Sequence, residues 1–122
     1  MHKNTTQIQV MSKLDERALQ YVAEYFKALA EPTRLRMLNA LQDGEKNVGQ
    51  LTEISACTQA NVSKHLALLA QSGLVKRESR GTSVYYSIAD PAIYDLCDLV
   101  CGQVGNRLTS EAEVKNILAA NS

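Results

Sequence analysis

Apolar residues recur at helical spacing along most of this chain, and the places where the spacing stops mark its elements. Residues 1–13 are polar and aperiodic and read as a flexible N-terminal arm. From Asp15 onward, Leu19, Val22, Phe26 and Leu29 share one face of a first helix. Pro32 fits the first turn of a second helix, with Leu35, Leu38 and Leu41 along one face and Asp43-Gly44 as its stop. Residues 47–56 predict a short third helix with Val48, Leu51 and Ile54 inward. Thr58 suits the N-cap of a fourth, in which Val62, Leu66 and Leu69 face inward and Gly73 ends the run.

The period then changes from helix to strand. Residues 74–78 and 83–88 read as strands, with Val84, Tyr86 and Ile88 alternating with Ser83, Tyr85 and Ser87. Ser79-Arg80-Gly81-Thr82 supplies the hairpin tip between them. Asp90-Pro91 opens another helix, lined on one side by Ile93, Cys97, Val100, Val104 and Leu108. A separate short helix is expected over residues 110–119. The expected order is α-α-α-α-β-β-α-α, mainly α with a small β-hairpin. Two short helices joined by a tight turn and followed by a basic hairpin make a helix-turn-helix with a wing. Residues 14–122 are expected to form a single winged-helix domain for DNA binding and dimerisation.

Composition narrows the class. At 45% apolar and 21% charged, the chain is an ordinary globular sequence. It has no run of about 18 apolar residues, and its start lacks the apolar core of a signal peptide. A cytoplasmic protein with no membrane partner is expected. Three cysteines, Cys57, Cys97 and Cys101, are too few and too odd in number for a secreted disulfide framework. The net charge is zero, yet between Thr58 and Thr82 four cations stand against one anion, a net +3, and the remainder carries −3. A neutral chain can thus present one basic face.

The stretch QANVSKHLALLAQSGLVKR, residues 59–77, needs explaining: a helix whose first turn is polar, whose later turns are apolar, and which runs into a basic strand. An α-helix fits the DNA major groove, and the side chains that reach base edges lie near its N-terminal end. Gln59 and Asn61 can bond adenine in bidentate fashion. Ser63 and Lys64 can reach base edges or phosphate, and Thr58 stands at the positive end of the helix dipole, which favours phosphate. His65 is expected to pack or to touch a phosphate. Lys76, Arg77 and Arg80 place cations where a wing crosses the DNA backbone. No glycine-rich phosphate loop, His-rich metal motif or nucleophile–base set supports an enzyme. A winged helix that serves as a protein-interaction module is the rival of another class.

The segments ALAEPTRLRML and VSKHLALLAQSGLVKRESRGTSVYYSI resemble the ArsR/SmtB family of bacterial winged-helix repressors. The resemblance spans roughly residues 19–88, and the helix that follows also fits. It implies a homodimer built on the first and late helices, bound to a double-stranded operator with inverted-repeat symmetry. It also implies repression relieved by an inducer, often a soft metal ion, arsenite, or a reactive sulfur or oxidant species. No cofactor is obligatory; arsenite or a soft metal ion would act as inducer.

The family places its sensors differently in different members. The Cys-Val-Cys pair of the arsenic-sensing type is absent, since this stretch reads Asn47-Val48-Gly49-Gln50-Leu51. The Asp and His ligands of the zinc-sensing type are absent too, because the only histidines are His2 and His65. Cys97 and Cys101 remain as candidate inducer and metal ligands. Four apart on a helix, their Cβ atoms lie about 5–6 Å from each other, wider than the ~3.8 Å of a relaxed disulfide. A bridging arsenic, soft metal or sulfur chain suits that gap. Cys57, just before the fourth helix, is a further candidate. The alternative is that these cysteines are structural, small apolar residues in a core stripe, and that the regulator answers another signal.

Overall fold

The computed structural model describes residues 14–121. The N-terminal arm expected over residues 1–13 lies outside the described residues. The chain divides into two units between Ala89 and Asp90.

The first unit opens with α1, Glu16–Leu29. Asp15 caps it by accepting a hydrogen bond from the Ala18 N–H at 2.8 Å, and Lys27 in its last turn complements the helix dipole. Of the expected stripe, Val22 and Leu29 are half-buried, while Leu19 and Phe26 stay exposed. Helix α2 spans Pro32–Ala40, with proline in its first turn and Glu31 accepting from the Arg34 N–H. Met37 and Leu38 are buried along it, and Leu41 is buried in the 3-10 turn Leu41–Asp43 that ends at Gly44. Leu35, expected inward, is exposed, and Met37 takes its place. A three-residue spacing drifts about 60° around a helix per step, so Leu35 stands about 120° from Leu41, while Met37, four residues before Leu41, stays on the buried side.

Strand β1 is only Lys46–Asn47, too short to show alternation in the sequence. Helix α3, Val48–Ser55, follows it at once. The Asn47 side chain accepts from the Gln50 N–H at 2.8 Å, and the Gln50 side chain accepts from the Asn47 N–H at 2.9 Å, a reciprocal capping box. Leu51 is fully buried, but Ile54, expected inward, is exposed, and Ser55 is buried instead. Ala56 leaves the helix in the left-handed region at φ +56°. Thr58 then caps α4, Gln59–Gln71, by accepting from the Asn61 N–H at 3.2 Å. Val62, Leu66 and Leu69 are wholly buried, as their spacing predicts. Each stabilises the fold by roughly 1.5–3 kcal/mol relative to exposure. At the far end Gly73, at φ +80°, donates to Ala70 O, and the Leu74 N–H donates to Leu69 O. These two bonds satisfy the last carbonyls of the helix.

Strands β2, Val75–Arg80, and β3, Ser83–Ile88, pair antiparallel from Val75↔Ile88 to Arg80↔Ser83. The ladder runs further than the sequence suggests: Ser79 and Arg80 belong to the strand, and the turn is the two residues Gly81-Thr82. Gly81 takes φ +60°, which a two-residue hairpin requires and an L side chain resists. Strand β1 adds to the other edge of β3, giving the order β1-β3-β2.

In the second unit the Asp90 side chain accepts from the Ala92 N–H, and α5 runs from Ile93 to Asn121. The separate helix expected over residues 110–119 does not exist. Ser110 resembles a start signal, but no proline or left-handed residue stops the helix before it. The 29 residues of α5 extend about 43 Å. Val100, Val104, Leu108, Val114, Ile117 and Leu118 are exposed along it. No helix among the described residues is long and apolar enough to cross a membrane.

Candidate nucleic-acid interface

The inward anchors of α4 determine which of its side chains stand outward. With Val62, Leu66 and Leu69 buried, Gln59, Asn61, Ser63 and Lys64 are all exposed in its first two turns. The exposed Thr58 stays tied by its hydroxyl to the Asn61 N–H. Helix α4 therefore presents amide, hydroxyl and ammonium groups at its positive end. Lys64 forms no ion pair among the described residues, so its charge is available to an outside anion.

His65 behaves differently. It is half-buried, and its Nδ1 lies 3.1 Å from an Arg34 Nη1 and 3.8 Å from a Glu31 carboxylate oxygen. Arg34 was not singled out by the sequence, yet it bonds three places at once. Its Nε donates to Ala28 O at 2.6 Å, one Nη to Lys27 O at 3.1 Å, and the other Nη reaches His65.

The wing is not a row of free cations. Lys76 is exposed and has no ion pair among the described residues, and Arg77 makes one long contact to the Ser79 hydroxyl at 3.4 Å. Arg80 is engaged. Both of its Nη atoms donate to the Glu45 carboxylate at 2.7 Å, and its Nε donates to Glu78 at 2.8 Å. Its guanidinium also lies over the Tyr85 ring, 4.6 Å from the centroid. The bonds from Glu78 and then Glu45 hold Arg80 above its ordinary pKa. The same bond and charge from Arg80 hold Glu78 below its own. Glu45 went unnoticed in the sequence because it lies 35 residues from Arg80.

The thiols are free. Cys57 and Cys97 are half-buried, and Cys101 is exposed. Burial first, then the charges of Cys101 and Asp98, push the Cys97 thiol above its ordinary pKa. No group of three His, Cys, Asp or Glu side chains able to hold a metal exists among the described residues. Cys97 and Cys101 thus offer two donors on one helix, with no third grouped with them among the described residues.

Residues 31–77 match the model of a family described as bacterial regulatory protein, arsR family. The arsenical resistance operon repressor of Bacillus subtilis is 37% identical over 87 residues, which cover 68% of this chain and 83% of that protein. The chain belongs to the arsR family of bacterial regulatory proteins. A second relative of this arsR-family chain is the transcriptional repressor SmtB homolog of Synechocystis, 41% identical over 90 residues. That match covers 74% of the chain but 66% of the relative's length, just under two thirds. Among solved structures, the homodimeric winged helix-turn-helix DNA-binding domain of Mb0332 from Mycobacterium bovis superposes with a TM-score of 0.68. It is 31% identical, covering 79% of this chain and 92% of that one. The arsR family is one of transcription regulators, not enzymes. The segment that matches the family model holds α2, α3, α4 and the start of β2. Arg80, Cys97 and Cys101 lie outside it, so their roles in this arsR-family chain rest on its own residues.

Proposed function

We propose that this chain is a homodimeric transcriptional repressor that reads an inverted-repeat operator with α4 and the β2–β3 wing. The observation that carries this reading is the division of α4: its apolar anchors are wholly buried, while Gln59, Asn61, Ser63 and Lys64 are exposed at its N-terminal end. Gln59 and Asn61 read base edges, and Thr58, Ser63, Lys64, Lys76 and Arg77 hold phosphates. Arg80 joins them only by exchanging the Glu45 carboxylate for a phosphate, so it contributes less than an unpaired arginine. Two subunits related by a two-fold axis double these contacts and match the symmetry of an inverted repeat. The homodimeric state of the Mb0332 domain and the exposed apolar stripes of α1 and α5 support the dimer.

Regulation is proposed to act at Cys97 and Cys101, through a thiophilic inducer such as arsenite, a soft metal ion or a reactive sulfur or oxidant species. Cys101 is open to a reagent, and a bridge between two thiols one turn apart would stiffen α5 locally. The raised thiol pKa of Cys97 and the lack of a third donor among the described residues favour a second reading, in which these cysteines only pack.

Fluorescence anisotropy on DNA from upstream of the protein's own gene tests both parts. Lys64→Ala should weaken binding to every sequence about equally and lower the slope of log K against log salt by about 1. An unchanged slope and affinity would sink the α4 assignment. Arsenite or polysulfide should release DNA from the wild type but not from Cys97→Ser; release from neither leaves the cysteines as packing residues.

A further inference from the structure

We propose that Arg34 and His65 form a positioning pair that sets the orientation of α4 for base reading, neither of them touching DNA. The inference rests on the DNA-binding reading above and gives His65 a different role from that of a phosphate contact.

Arg34 lies in the first turn of α2 and clamps the end of α1. The carbonyls of Lys27 and Ala28 lie in the last turn of α1, where Lys27 O also accepts from the Ala30 N–H, and one edge of the guanidinium bonds both. The remaining arm, Nη1, reaches His65 on α4. One planar group thus fixes three helices in a set relation. Arginine can only donate, so a hydrogen bond between the two makes His65 Nδ1 the acceptor. His65 stands one turn beyond Asn61, so a rotation of α4 at His65 carries over to Asn61 directly.

Why should a hydrogen bond matter where three buried side chains already hold the helix? Apolar burial at Val62, Leu66 and Leu69 is non-directional and fixes which face is inward, not the angle to within a few degrees. The seam beside the pair is also open. A cavity of about 550 Å³ lies between α1 and the later half of α4, lined by Tyr21, Tyr25, Arg34, Leu68 and Gln71 among others. Packing there leaves room for α4 to shift. A recognition site needs its side chains held to about 0.5 Å and 10–20°. The directional bond from Arg34 supplies that constraint at the edge of the gap.

The test uses the full chain and compares an operator-containing fragment with a scrambled one of equal length over a salt series. Arg34→Lys keeps the charge but loses the fork, and His65→Leu loses the acceptor. Each should reduce the preference for operator about tenfold, with the salt slope unchanged because no phosphate contact is lost. His65→Asn, whose amide oxygen stands near the Nδ1 position, should restore the preference. Preference intact in both Arg34→Lys and His65→Leu overturns the proposal, as does a reduced slope. So does restoration by His65→Gln and not by His65→Asn, which would mark a contact through Nε2. A wild type with no preference for any DNA would fail the repressor reading instead. The pair is then judged from the imidazole 15N spectrum, with His65 assigned by its loss in His65→Asn. Arg34→Lys should move the Nδ1 resonance, and an unmoved resonance overturns the pairing whether or not DNA binds.

Discussion

At the scale of single residues, charge on this protein is divided between surface groups tied up in its own ion pairs and groups left to solvent. Arg80 is tied to Glu45, Glu78 and the Tyr85 face, so it braces the wing against the segment before β1. Lys64 and Lys76 make no such ties among the described residues. The thiols divide in the same way. The protonated form of Cys97 is favoured by burial and by neighbouring charge. Its folded pKa is raised, so the stability it contributes is complete below the unfolded thiol pKa and is lost as pH rises through the folded value. Near neutral pH Cys97 should therefore alkylate more slowly in the native protein than in urea. The midpoint of its rate–pH profile should also lie above that of the unfolded chain. Peptide mapping by mass spectrometry would show this, and a Cys97 that reacts faster when folded would contradict it.

At the scale of elements, α4 is built from both ends. Thr58 starts it, and Gly73 in a left-handed conformation stops it, both read correctly from residue type. The turn before it is less well made. Ala56 carries a left-handed φ of +56°, which disfavours an L residue by about 1–2 kcal/mol. Ala56→Gly removes that strain and adds chain entropy to the unfolded state of about 0.5–1 kcal/mol. The substitution should raise stability by about 0.5–1 kcal/mol, seen as a higher urea midpoint with an unchanged m-value. A lower midpoint would mean that the turn is not strained. Helix periodicity located four of the five helices within a residue or two, but misjudged single positions. Leu35 and Ile54 carry apolar side chains at plausible spacings and still face outward. Which of several apolar faces packs inward depends on what the rest of the fold offers, and spacing alone does not encode that.

At the scale of the molecule, the helix α5 has an apolar side far larger than a lone chain needs. Val100, Val104 and Leu108 are each half or more exposed, an arrangement that soluble monomers avoid. In the proposed dimer these residues meet a second copy. Val104→Glu should convert a dimer to a monomer in sedimentation at micromolar concentration and weaken operator binding, because one half-site is then read alone. A wild type that sediments as a monomer would remove the dimer from the proposal.

The sequence by itself determined the succession of helices and the hairpin, the polar first turn of α4 and the caps on both sides of it. These are local properties, encoded by spacing, by residue type at helix ends and by glycine where φ is positive. Only the tertiary structure decided the rest. It joined β1 to the sheet, bound Arg80 to Glu45 and brought Arg34 to His65. The β1, Arg80 and Arg34 pairings join residues roughly thirty or more positions apart, and no pattern in a neighbourhood of the chain specifies a partner at that distance. The helix break was misread for the opposite reason: a start signal at Ser110 has no force where nothing has ended the helix before it.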